Sequence, residues 1–348
     1  MSLTLTAALA ATVLAGCGGG GDKGAASAGE LNIFVWTEYV PDSVIQKFTE
    51  ETGIQVNVST FSSNEDMLSK VKAESEGTYD IVQPSDYMVE QMIAQDMLQE
   101  LDLSKLENFK NIGDAYKNPS YDPDNKHSVP YLGGAAVIAV NTGKVDLDIT
   151  SYDDLFDPAL ANSLVALDDY RAVIGMTARS MGKSMNETDP AVLSEVEAKL
   201  LTLKPNMKLY DSDSPKSALI SGDCTAGFVW SAEAALAMEE DPDIKTIYPE
   251  EGPYLFLDSW CVTKGAKNTD AAMKFIDYML EVSTMQEVLA EFPYMCPNTA
   301  AVEAMGEEYA SNPAKNPPAD AIAAGEYVKN LDTETLAIYD SMWTKLKG

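Results

Sequence analysis

The chain has 348 residues, 45% of them hydrophobic and 23% charged, enough for two domains of ordinary globular composition. A formal net charge of −31 argues against nucleic acid as a partner, because neutralising phosphates takes a basic face. The same charge steers cations toward the surface, an effect that salt weakens, and it keeps the protein soluble.

Residues 1–17, MSLTLTAALAATVLAGC, are small, apolar and uncharged; they are too short for a mature membrane span and fit a secretory leader. Leu14-Ala15-Gly16-Cys17 resembles the bacterial lipobox, in which the cysteine becomes the lipidated first residue, although no Lys or Arg precedes the apolar run. Residues 18–30, rich in Gly, Ala and Ser, fit a flexible tether. Acylation of Cys17 by two or more chains would anchor the protein stably; no other segment is apolar enough to cross a bilayer. Cys224, Cys261 and Cys296 remain, an odd number without C-x-x-C spacing. Zinc and redox motifs are therefore unsupported, and a Cys261–Cys296 bridge is an option that sequence does not decide.

After the tether, strand and helix alternate. Residues 31–36, LNIFVW, form a strand; Pro41 opens a helix with Val44, Ile45 and Phe48 on one face, and Gly53 closes it. IQVNV is the next strand, followed by a helix capped by Asn64 with Met67, Leu68 and Val71 inward. YDIVQP is a third strand, with a helix beginning near Asp86. This repeated βαβ pattern implies a mostly parallel sheet with helices on both faces. Residues 129–140 form a long apolar strand interrupted by Gly133-Gly134, and the 253–262 stretch PYLFLDSWCV forms another; both are candidates to pass between lobes. Between them lie a short helix capped by Ser151 and strands in SLVALD, NMKLYD and CTAGFVW. Helical segments over 268–292 and an amphipathic helix at 336–346 complete the chain. The expectation is an α/β protein of two lobes, 31–136 with 259–304 and 137–258 with 305–348, joined by crossing strands that make a hinge.

Ligands bind at the carboxyl ends of strands in open α/β sheets. Trp36, Thr37, Glu38 and Tyr39 follow the first strand, Ser85 and Tyr87 the third, Asp168 and Asp169 the strand in SLVAL. Trp230 and Glu233 follow TAGFV, and Phe256 and Asp258 lie in YLFLD. Solvated loops account for the acids but not for the aromatics, which are costly to leave wet. Aromatics beside carboxylates suit an organic cation, giving faces to its methylenes and charge to its nitrogens.

The chain resembles the polyamine-binding receptors of bacterial ABC importers, over essentially everything from Leu31 onward. The marks are WTEYVP at 36–41, TGI at 52–54, YDIVQPSDY at 79–87, SVPYLGGAAVIAVN at 128–141, DDYR at 168–171, VWSAE at 229–233, LDS at 257–259 and YMCPN at 294–298. The resemblance implies a type II periplasmic-binding-protein fold, two α/β lobes that close on ligand. It implies that Trp36, Tyr39, Tyr87, Trp230, Phe256 and Tyr294 wall the slot for a methylene chain. Glu38, Asp169 and Asp258 would meet ammonium groups, and Thr37 and Ser85 would add polar contacts. An extracytoplasmic lipoprotein anchored through Cys17, monomeric and without cofactor or metal, would deliver the polyamine to a membrane permease driven by an ATPase.

Against the spermidine-preferring pattern, Ala172 replaces a Glu, Val328 a Gln, Phe256 a Trp and Glu233 a Ser; putrescine-preferring relatives carry an Asp at the last of these. Buried anions belong where ammoniums sit. Glu233 and Asp258 are therefore expected to hold one ammonium together, with a diamine such as putrescine favoured over spermidine.

Other classes fit less well. The single histidine, His127, lies in a solvated DPDNKH loop, and no G-x-S-x-G, H-E-x-x-H or Walker motif occurs. Asp168 and Asp169, adjacent after a strand, should point opposite ways rather than pair for acid–base work. An enzyme is not expected. The DPDN loop at 122–125 has Gly133 where a calcium loop needs Glu, and the tyrosines are interleaved with Trp and carboxylates, unlike those of ferric receptors. An amino-acid ligand would want an arginine in the site; Arg171 is expected to balance Asp168, and Arg179 is the one other arginine. A receptor of the same fold for another cationic or amine ligand is the nearest alternative.

Overall fold

The computed structural model describes residues 29–348; the leader, Cys17 and nearly all of the tether lie outside them. Ten strands form one sheet. They are β1 (Glu30–Trp36), β2 (Gln55–Phe61), β3 (Ile81–Val82), β4 (Val129–Asn141), β5 (Leu164–Ala166), β6 (Met207–Tyr210), β7 (Ala226–Trp230), β8 (Ile244–Ile247), β9 (Tyr254–Val262) and β10 (Glu326–Tyr327). The order across the sheet is β2-β1-β3-β9-β4-β7-β5-β6, with β8 on β4 and β10 on β9. The parallel arrangement predicted for most of the sheet holds in its two wings, β1 with β2 and β3 and β5 with β6 and β7. In the middle, β9 runs antiparallel to β3 and β4, and β4 antiparallel to β7 and β8.

The two crossing strands are buried at every residue, as their unbroken apolar sequences require. β9 pairs with β4 over 254–260 and with β3 through Cys261 and Val262. Gly133 and Gly134 do not interrupt β4. A Cβ at Gly133 would lie 2.7 Å from the Phe256 carbonyl oxygen, so glycine permits close approach of β9, and the register shift falls earlier, between Pro130 and Leu132. Tyr131 and Trp260 pack ring to ring at 4.6 Å beneath these strands, and the Tyr131 hydroxyl donates to the Tyr39 carbonyl at 2.9 Å. The crossing strands are thereby fixed to the turn after β1.

Helices α1 (Asp42–Thr52), α2 (Asn64–Ala73) and α3 (Asp86–Ala94) belong to the first wing. α1 buries Val44 and Phe48 and ends at Gly53, whose φ of 72° is open to glycine without a Cβ penalty. α2 is capped by Ser63, whose Oγ accepts from the Asp66 N–H at 3.2 Å, and not by Asn64 as the sequence indicated. The second wing carries α4 (Tyr170–Ser180), α5 (Pro190–Leu203), α6 (Lys216–Ile220) and α7 (Ser231–Glu240). Ser151 caps a short helix as expected, one of 3₁₀ type over Asp153–Phe156: its Oγ accepts from the Asp154 N–H at 3.3 Å, while the Asp154 carboxylate accepts from the Thr150 and Ser151 N–H groups. Cys224, Cys261 and Cys296 are buried free thiols, so the Cys261–Cys296 bridge does not form. Among the described residues no helix is long and apolar enough to cross a membrane.

Candidate functional site

A cleft of about 490 Å³, its mouth included, opens between the wings above the crossing strands. Nine of the residues singled out in the sequence line it: Trp36, Thr37, Tyr39, Ser85, Asp169, Trp230, Phe256, Asp258 and Tyr294. Asn64, Ser212, Asp213 and Tyr254 complete the lining.

Asp258 lies at the floor, on β9, and is 3% exposed. Its two oxygens accept from the Tyr39 hydroxyl at 2.6 Å and the Ser85 hydroxyl at 2.5 Å. Ser85 is itself held by Asn64, which accepts from the Ser85 N–H at 3.1 Å and donates to its Oγ at 3.0 Å. Because Ser63 takes the capping role, the Asn64 amide is available to orient this chain of hydrogen bonds. Burial pushes the Asp258 carboxyl up to about 7, while the Ser85 and Tyr39 hydroxyls oppose the shift. The Trp36 indole N–H also favours the anion, though it makes no hydrogen bond of ordinary geometry. Among the described residues no lysine or arginine pairs with Asp258, so a buried carboxylate faces the cleft with hydroxyls but no cation.

The walls are aromatic. Trp230 meets Phe256 edge to face at 5.1 Å and Tyr254 at 5.9 Å; Phe256 meets Tyr294 at 6.2 Å, and Tyr294 meets Tyr39 at 5.0 Å. Trp36 packs on Phe61 at 4.4 Å, and the Trp230 indole N–H donates to the Ser212 carbonyl at 3.2 Å. Contacts of this kind fix the ring planes along the cleft. Asp169, also on the lining and 8% exposed, caps α4 through Oδ1, which accepts from the Arg171 and Ala172 N–H groups at 2.8 and 3.1 Å. Burial raises its carboxyl, opposed by those N–H groups and by Arg171.

Three of the expected site residues do not reach the cleft surface. The Tyr87 hydroxyl donates to Glu65 at 3.0 Å, and its ring lies 5.1 Å from the Arg171 guanidinium. Glu38, in a left-handed turn at φ 51°, and Glu233, in the first turn of α7, both bind the Lys216 ammonium, at 2.6 and 3.0 Å. Glu233 is thus already paired with a cation of the protein itself. Arg171 does not balance Asp168. Asp168 pairs with Lys347 at 2.6 Å, whereas Arg171 is buried between the Tyr87 and Tyr339 rings and donates to the Lys329 carbonyl. His127 is half-buried against the Gln99 carbonyl rather than solvated. In the DPDN loop, Asp122 is occupied by the His127 and Ser128 N–H groups and the Ser128 hydroxyl. Among the described residues no group of three or more His, Cys, Asp or Glu is placed to hold a metal ion.

Residues 43–318 match the model of the bacterial extracellular solute-binding protein family. The chain is 38% identical over 319 residues to a spermidine/putrescine-binding periplasmic protein of Salmonella typhimurium, covering 91% of each chain. It is 30% identical to a putrescine-binding periplasmic protein of Escherichia coli, again over 91% of each. A solved structure described as a putative spermidine/putrescine ABC transporter from Listeria monocytogenes superposes with a TM-score of 0.88 at 34% identity, covering 91% of this chain and 98% of that one.

Proposed function

Because this chain belongs to the family of bacterial extracellular solute-binding proteins, and is not an enzyme, we propose that its cleft captures a polyamine for an ABC importer, with putrescine favoured over spermidine. The observation that carries the reading is Asp258, a buried carboxylate with two hydroxyl donors and, among the described residues, no cation, set against an aromatic wall. An ammonium at Asp258 would neutralise it through charge-assisted hydrogen bonds. The methylene chain would run between Trp36, Trp230, Phe256 and Tyr294, whose faces exclude water and favour cationic nitrogen. A second ammonium would meet Asp169 and Asp213. Two acidic positions, Asp258 and the pair Asp169 and Asp213, on an aromatic-lined slot suit a diamine.

The lining comes from both wings, so a ligand touching both favours the closed arrangement by its differential affinity for it. The moving bodies in this reading are residues 31–136 with 259–304 and 137–258 with 305–348. The closed, monomeric receptor would dock on a membrane permease, held near it by a lipid on Cys17.

The deciding experiment is a thermal-shift series with putrescine, cadaverine, spermidine, spermine, choline and common amino acids. A ligand at about 100 times its Kd stabilises the folded state by about 2.7 kcal/mol. The largest rise is expected with putrescine and none with amino acids. A flat response to every polyamine overturns the reading.

A further inference from the structure

Lys216 opens α6, and its Nζ lies 2.6 Å from Glu38 Oε2, 3.0 Å from both Glu233 carboxylate oxygens and 3.1 Å from Ser214 Oγ. Glu38 follows β1 in one wing, whereas Ser214, Lys216 and Glu233 belong to the other. One ammonium therefore joins the two sides of the cleft. It is no loose surface pair, because the Glu233 side chain is 4% exposed and that of Lys216 19%. Tyr294, which lines the cleft with Asp258, has its phenol pushed well up by burial and then by Glu233, Asp258 and Glu38.

An ammonium held by two carboxylates and a hydroxyl has the chemistry proposed for the ligand. We infer that Lys216 is a specificity-determining residue: its side chain supplies from within the protein the ammonium that Glu38 and Glu233 require, withholding both acids from the ligand. The cleft then keeps positions for two ligand charges, and a triamine must bring its third nitrogen to a site already filled. This inference rests on the polyamine reading.

Replacing Lys216 by Gln leaves Glu233 buried without a cation, a costly state that a third ligand ammonium relieves. By calorimetry, the ratio of spermidine to putrescine affinity is expected to rise about tenfold or more in K216Q. In K216R, which keeps the charge, it should stay within about threefold of the starting value. The double variant K216Q/E233Q removes both charges and leaves no lone buried carboxylate, so it remains a test where K216Q fails to fold. There the ratio should rise by less than about threefold, and a rise as large as that expected of K216Q overturns the inference. An unchanged ratio in K216Q, or equal changes for both amines, overturns the role of Lys216 and leaves the polyamine reading standing. A wild-type protein that binds neither amine overturns both.

Discussion

Asp258 shows how one side chain links stability to binding. Its carboxyl is lifted to about 7 by burial, above its value in the unfolded chain, so without ligand the folded protein holds this proton to a higher pH than the unfolded chain does. The stability this group contributes is fully present below the ordinary carboxyl range and is lost as pH rises through about 7. Glu233, also pushed up to about 7 by burial against the pull of Lys216, acts in the same direction over the same window. Binding has the opposite sign, because an ammonium needs the Asp258 anion. One unit below its pKa about a tenth of the group is ionised, so putrescine affinity should fall about tenfold between pH 8 and pH 6. Calorimetry in two buffers of different ionisation enthalpy should show proton release on binding near pH 7. D258N should abolish that dependence, weaken putrescine by about 2–4 kcal/mol, and raise the Tm of the unliganded protein at pH 8. A D258N variant that keeps its affinity and its pH profile would show that the ligand nitrogen lies elsewhere.

At the scale of elements, Asp169 has two duties that substitution separates. It caps α4 through Oδ1, and its charge faces the cleft. Asparagine caps nearly as well as aspartate, so D169N should unfold within about 0.5 kcal/mol of the parent while putrescine binding weakens about tenfold or more. D169A should lose both, the cap costing about 1 kcal/mol. Unchanged affinity in D169N would reduce the residue to a helix cap. The strand-end mixture of aromatic and acid was legible because it is local, each group lying within a few residues of its strand. The same rule could have found Ser212 and Asp213, which follow β6, and Tyr254, two residues before Phe256 on the same face of β9. Asn64 was hidden because Ser and Asn in succession both look like caps, and only packing decides between them. Lys216 left no signal, since its contact with Glu38 spans 178 residues of chain; acids counted along a sequence do not show which are already neutralised. The antiparallel middle of the sheet was hidden likewise, because burial makes a crossing strand as uniformly apolar as a parallel one.

For the whole molecule, the net charge of −31 and the enclosed cleft act on different steps of binding. Long-range attraction guides a dication to the surface and is screened over about 10 Å at 0.1 M salt. Once the ligand sits on Asp258 beneath the aromatic wall, short contacts in a buried site hold it, and salt reaches them poorly. Stopped-flow measurements can follow the fluorescence of Trp36 and Trp230, both of which face the cleft. Between 20 and 500 mM NaCl the association rate of putrescine should fall about three- to tenfold, with the dissociation rate changing by less than about twofold. The reverse partition, with salt speeding release, would mean that exposed ion pairs retain the ligand. The aromatic slot would then be a passage rather than the seat of binding, because a closed cleft shields its charges from counter-ions while an open rim does not.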